Sequence, residues 1–150
     1  MAAERRASVT WKGDLMSGSG TIDEVGSGAF GPLDVSWAAR TEEASGGKTS
    51  PEELIAAAHA SCFSMALSHG LAQAGNAPER LQTSAAVTFV PGTGITKVAL
   101  TVRGVVPGLD EDGFRAAAED AKENCPVSKA LTGVGEITVD ATLESTVEAS

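Results

Sequence analysis

Cys62 and Cys125 are the only cysteines of the chain, and each stands in a setting that suits sulfur chemistry. Cys62 lies in an uncharged stretch, Ala58-His59-Ala60-Ser61-Cys62-Phe63-Ser64-Met65-Ala66-Leu67, and Cys125 in Glu123-Asn124-Cys125-Pro126-Val127-Ser128. One thiol in a dry pocket with a second in reach can oxidise, condense to a disulfide and be reset by reduction. The reactive form is the thiolate, which needs a cation or a helix N-terminus beside it. Cys125 precedes Pro126 and so falls at a helix start, where exposed backbone N–H groups favour negative charge. Cys62 is expected about three turns inside a helix, where no such help exists, so it needs a cationic side chain. For each, a buried structural cysteine is the plainer alternative.

Four further side chains bear on this chemistry. Glu53 falls three residues after Ser50, where a capping box employs it, which leaves the neighbouring Glu52 free to hold an arginine. Its plainer role is a solvated carboxylate at the positive end of a helix. His59 precedes Cys62 by three residues and His69 follows it by seven, on one stripe of the helix. A Cys–His ion pair is one possibility and a satisfied core histidine the other. No short ligand spacing of a metal site is present, so no metal and no cofactor are expected.

The elements that must position these residues read in order. Ser8–Trp11, Gly20–Asp23 and Asp34–Ala38 alternate as short strands, and Thr41–Thr49 is a polar loop. Ser50, Pro51 and Glu53 open a helix that continues to Ala74, with Gly75 and Pro78 as its stop. It is nearly uncharged, so it must be covered on most sides. Thr83–Val90 and Ile95–Val106 form a strand pair around Pro91-Gly92-Thr93-Gly94, Asp110 caps a second helix to Asn124, and Pro126–Leu131 forms a third. Glu136–Leu143 is a final strand, and residues 145–150 are a frayed tail. The class is α+β, in one domain spanning 1–150. Glu52 and Cys62 are ten residues apart, or ~15 Å along one helix, and meet only if two copies pack antiparallel. The sequence therefore predicts a homodimer with two composite sites.

A formal net charge of −9 argues against nucleic acid or an anionic membrane as a partner, since either needs clustered Lys and Arg. Arg5 and Arg6 are followed by no apolar run, so no signal peptide is expected. Leu54–Leu71 reaches the length of a membrane span, but it is mostly Ala and is broken by Ser61, Ser64, Ser68, two His and Gly70, so a buried helix of a cytosolic protein is expected instead. In the cytosol the cysteines rest reduced and any disulfide is transient.

With these residues in view, the chain resembles the osmotically inducible protein C (OsmC) family, sister to the organic hydroperoxide resistance (Ohr) proteins. The resemblance rests on Thr49-Ser50-Pro51-Glu52-Glu53-Leu54-Ile55-Ala56-Ala57-Ala58-His59-Ala60-Ser61-Cys62 and on Asn124-Cys125-Pro126-Val127-Ser128-Lys129-Ala130-Leu131. His59 and the position of the arginine lean toward the OsmC branch. It implies an intertwined homodimer in which long central buried helices are wrapped by antiparallel sheets. It also implies a cofactor-free thiol peroxidase acting on organic hydroperoxides. Cys62 would attack the peroxide and become a sulfenic acid, Cys125 would close a disulfide, and a dithiol (a lipoyl group or a thioredoxin-like protein) would reset both. Arg40 matches the arginine that stabilises the thiolate, and Glu52 the carboxylate that holds it. Phe63 and Met65 would favour a fatty or aromatic hydroperoxide. The rival from another class is a non-enzymatic protein that binds a small apolar ligand or a metal in the same pocket.

Overall fold

The computed structural model describes residues 2–144; the tail expected to fray lies outside them. The described residues form β1 (Ala7–Lys12), β2 (Ser19–Val25), β3 (Leu33–Val35), α1 (Trp37–Thr41), α2 (Pro51–Gln73), β4 (Arg80–Val90), β5 (Gly94–Val105), α3 (Glu111–Asn124), α4 (Pro126–Ala130) and β6 (Glu136–Leu143). This is an α+β chain with one long helix. It divides into two compact units, Met1–Leu54 and Ile55–Ser150.

In the first unit β1, β2 and β3 form an antiparallel sheet, with Gly20 facing Trp11 on one side and Val35 on the other. Every residue of β1 is exposed. Ile22 is the buried core hydrophobic of this unit among its described residues. The expected third strand is shorter than its alternation suggested. Ser36 accepts the Ala39 N–H at 3.1 Å and turns the chain into α1, so Trp37 and Ala38 are helical. A capping serine overrides two residues of alternation.

The start of α2 follows from its sequence. Ser50 Oγ accepts the Glu53 N–H at 3.2 Å and Pro51 takes the first helical position. The reciprocal half of a capping box is diverted, because the Glu53 carboxylate accepts the Thr49 hydroxyl at 2.7 Å. At the other end Asn76 N–H reaches Leu71 O (2.8 Å) and Gly75 N–H reaches Ala72 O (3.0 Å), with Gly75 at φ +90°. That is a Schellman stop, which needs a left-handed residue and so a glycine.

In the second unit β4 and β5 make an antiparallel hairpin, while β6 joins β5 in parallel, Lys97 facing Glu136 and Gly104 facing Leu143. The parallel pairing follows from α3 and α4 intervening as a crossover between β5 and β6. Strand β4 alternates between exposed and half-buried along its whole length. The core gathers Phe63, Leu67 and Leu71 of α2, Val98, Leu100 and Val102 of β5, Phe114 and Ala118 of α3, and Cys125. By length and composition α2 would suffice to cross a membrane, but one of its faces supplies core residues of this unit. Others are uncovered, and Met65 is 72% exposed.

Phe114 packs where a side chain is missing: a Cβ on Gly104 would sit 2.6 Å from its Cζ. Gly104→Ala is therefore expected to lower stability by about 1–3 kcal/mol through overpacking. An unchanged urea midpoint would show that the ring has room to yield.

Candidate active site

The two thiols meet. Cys62 is half-buried on α2 and Cys125 is fully buried between α3 and α4; both are free, and their side chains lie within hydrogen-bonding reach. Cys125 is held by its backbone on both sides, its N–H donating to Ala121 O at 2.8 Å and its carbonyl accepting from Lys129 N at 3.0 Å. It is thus the last residue tied to α3 and the cap of α4.

The start of α4 does not serve the thiol that the sequence suggested. Cys125 makes no side-chain capping bond, and the Val127 N–H donates to the Cys62 sulfur instead. The chain bends at Cys125 (φ −59°, ψ 127°), which carries the first turn of α4 to the neighbouring sulfur. Burial pushes the Cys62 thiol above its ordinary range and the Cys125 thiol adds to this, while the Val127 N–H opposes them. The net direction is upward, so inside one chain Cys62 is held as a thiol at neutral pH.

His59 does not pair with Cys62. It is fully buried, and its Nε2 lies 2.7 Å from Ser128 Oγ on α4. Its Nδ1 has no hydrogen-bond partner among the described residues. Burial lowers its pKa, so the ring is neutral near pH 7. His69 is exposed on the same helix. Among the described residues no three His, Cys, Asp or Glu side chains converge as a metal site would require.

Arg40 and Glu52 form a two-pronged pair within the first unit: Nε to Oε1 at 3.0 Å and NH2 to Oε2 at 2.8 Å. The Glu52 side chain is 8% exposed and that of Arg40 28%, so the pair is shielded but open to one side. Glu52 holds the guanidinium firmly protonated. Trp37, one turn earlier on α1, brings its ring centroid to 5.6 Å from Arg40 Cζ, a cation–π contact.

Beside Arg40 runs an apolar groove of about 380 Å³ walled by Trp11, Leu15, Val35, Trp37 and Pro51. Trp11 lies over Gly20, where a Cβ would come within 2.5 Å of its ring, and its indole donates to Gly13 O at 2.9 Å. A wider groove of about 620 Å³, lined by Met65, His69 and Arg80 among others, touches neither cysteine nor Arg40. Phe63, expected as an apolar wall of the site, is instead wholly buried in the core. Trp11, Trp37, Val127 and Ser128 were not singled out by sequence reasoning. The i, i+3 spacing of Trp37 and Arg40 on a Ser36-capped turn was the available signal for one of them.

Residues 44–141 match the family of OsmC-like proteins. The chain is 40% identical over 148 residues to the peroxiredoxin OsmC of Escherichia coli (strain K12), covering 97% of this chain and all of that protein. The chain belongs to the OsmC-like protein family. It is 29% identical over 102 residues to the organic hydroperoxide resistance protein of Xanthomonas axonopodis pv. citri, covering 64% of this chain and 68% of that one. The organic hydroperoxide resistance protein OhrB of Bacillus subtilis superposes with a TM-score of 0.59 at 26% identity, covering 93% of this chain and 98% of that one.

In this OsmC-like protein the buried imidazole makes a testable contribution to stability. An exposed histidine titrates near 6.5 and burial places His59 lower, so the unfolded chain takes up the proton first. The stability it protects is complete above pH 6.5 and is lost as pH falls through the folded value. Urea midpoints are expected to decline from neutral pH into the acid range, and to decline less in His59→Gln. Equal acid slopes would remove His59 from the account.

Proposed function

We propose that this chain is a cysteine-dependent peroxidase that reduces organic hydroperoxides to alcohols, with Cys62 as the attacking thiol and Cys125 as the resolving one. The observation that carries the reading is the contact of the two sulfurs across α2 and the α3–α4 junction. The family, with a peroxiredoxin as a near full-length relative, supports it.

The chemistry runs in three balanced steps. The Cys62 thiolate attacks the terminal oxygen of R–O–OH and the O–O bond breaks. The leaving alkoxide takes a proton to become R–OH, and the sulfur is left as Cys62–SOH. The Cys125 sulfur then displaces the hydroxyl, which leaves as water with the Cys125 proton, and a disulfide forms. A dithiol, such as a lipoyl group or a thioredoxin-like protein, opens that disulfide by exchange and is itself oxidised.

The first step needs a thiolate that burial opposes. Arg40, in cation–π contact with Trp37 and gripped at two points by Glu52, is the cation we assign to it. Glu52 and Cys62 are ten residues apart on α2, so the guanidinium on Glu52 reaches the sulfur of a second copy packed antiparallel. The uncovered faces of α2 and the wholly exposed β1 support a homodimer, since each leaves apolar residues such as Met65, Val9 and Trp11 wanting cover. In that assembly the two units act together as one domain over 1–150. The groove along Trp11, Leu15 and Trp37 takes the apolar part of the peroxide. The cytosol, where thiols rest reduced, is the location we assign to it.

One stoichiometric addition of cumene hydroperoxide is expected to convert two free thiols per chain to none, with the mass of a disulfide. Cys62→Ser fails to react; Cys125→Ser is oxidised once and then over-oxidised at Cys62. An unchanged thiol titre in the wild type would favour a binding protein over an enzyme. Glu52→Gln is expected to reduce kcat/KM for the organic peroxide by ~10–100-fold, because a guanidinium that loses its fork no longer sits on the sulfur. A wild-type value would exclude the pair from catalysis.

A further inference from the structure

Beside the two cysteines lies a second pair of side chains that the peroxidase chemistry does not use. His59 precedes Cys62 by three residues on α2, and Ser128 follows Cys125 by three at α4. Cys62 faces Cys125, and His59 faces Ser128 at 2.7 Å. The two pairs thus join the same two segments, about one helical turn apart.

Helix α4 has five residues and begins at the bend after Cys125. So short a helix has almost no stability of its own, and its setting is decided by what it touches. Three of its positions matter to the Cys62 sulfur or to its neighbourhood: Cys125 as cap, Val127 through its N–H, and Ser128 through His59. Ser128 is 6% exposed and His59 is wholly buried, so each would be an unsatisfied polar group in the core without the other. Because Nδ1 has no partner among the described residues, Ser128 is what orients the imidazole there. An apolar contact would fill this space, but it would not fix the rotation of α4 about its axis as a directional bond does.

We infer that the His59–Ser128 hydrogen bond is a positioning element for disulfide closure, holding the first turn of α4 on α2 so that Cys125 and the Val127 N–H stay on the Cys62 sulfur. This rests on the peroxidase reading above and deepens it. Closure brings the sulfurs from hydrogen-bonding distance to ~2.05 Å with the Cα atoms still within ~4.4–6.8 Å of each other. The backbone of α4 must therefore already be in place when Cys62–SOH forms. Without the tie, α4 drifts, the sulfenic acid persists and a second peroxide overtakes Cys125.

The test oxidises the full-length protein with one equivalent of cumene hydroperoxide, quenches it over time with dimedone, and follows sulfenate adduct against disulfide by intact mass. Ser128→Ala is expected to close the disulfide about tenfold more slowly and to accumulate the adduct, with sulfinic acid appearing at lower peroxide excess. Ser128→Thr, which keeps the hydroxyl, restores closure. A purely structural role would lower Tm and leave the partition between sulfenate and disulfide unchanged in the folded variant. Should Ser128→Ala not fold, His59→Gln, whose amide reaches the place of Nε2, closes near the wild-type rate, and His59→Leu closes slowly. Closure at the wild-type rate in Ser128→Ala or His59→Leu overturns the positioning role while leaving the peroxidase reading intact. Absence of both sulfenate and disulfide in the wild type overturns both.

Discussion

A sulfur atom taken out of water resists ionisation, yet only its ionised form attacks a peroxide. Cys62 stands on that conflict. Burial and the neighbouring thiol hold its proton on, and the backbone N–H of Val127 opposes them alone within the second unit. A hydrogen bond to a charged group is worth about 1.5–3 kcal/mol. A unit positive charge about 4 Å away contributes about 4 kcal/mol at the effective dielectric of a protein surface. The first softens the penalty; the second can reverse it, since one pKa unit is about 1.4 kcal/mol. Hence, in the reading proposed above, the guanidinium assigned to this sulfur is the term on which reactivity turns.

The fold divides its labour accordingly. The first unit prepares a cation: a serine-capped turn aligns Trp37 with Arg40, and the opening of α2 supplies Glu52 for both prongs. The second unit prepares the sulfurs, with α2 carrying Cys62 and His59 while the bend at Cys125 brings Val127 and Ser128 back to them. The thin sheet of the first unit and the uncovered length of α2 are what an assembly of two copies would use.

The long helix was legible because its ends are written in local chemistry, Ser50-Pro51 at the start and Gly75 at the stop. The hairpin was legible because β4 alternates along its whole length and Pro91-Gly92-Thr93-Gly94 marks the turn. Strand β6 was placed correctly by alternation, but nothing local reveals that it pairs in parallel, because pairing is decided by the crossover through α3 and α4. At Trp37 a serine cap outweighed two alternating residues, so a helix stands where a strand was expected. At the cysteines the sequence pointed to Cys125 as the sulfur the α4 start faces, whereas the Val127 N–H goes to the Cys62 sulfur. A five-residue helix after Cys125-Pro126 predicts a free N–H; only the bend in three dimensions says that it meets Cys62. The His59–Ser128 bond was equally hidden, since 69 residues separate its partners.

The central claim is that the cation and the sulfur of one working site come from two copies of the chain. Coexpression of Cys62→Ser with Arg40→Met protein tests it directly, because each variant alone lacks one essential group at both sites. Random pairing in a composite dimer restores about a quarter of the wild-type sites, all in mixed dimers that unite intact Cys62 with intact Arg40. Recovery of hydroperoxide reduction near that level is the predicted result. Mixed dimers as inactive as either parent would contradict it and return both groups to a single chain.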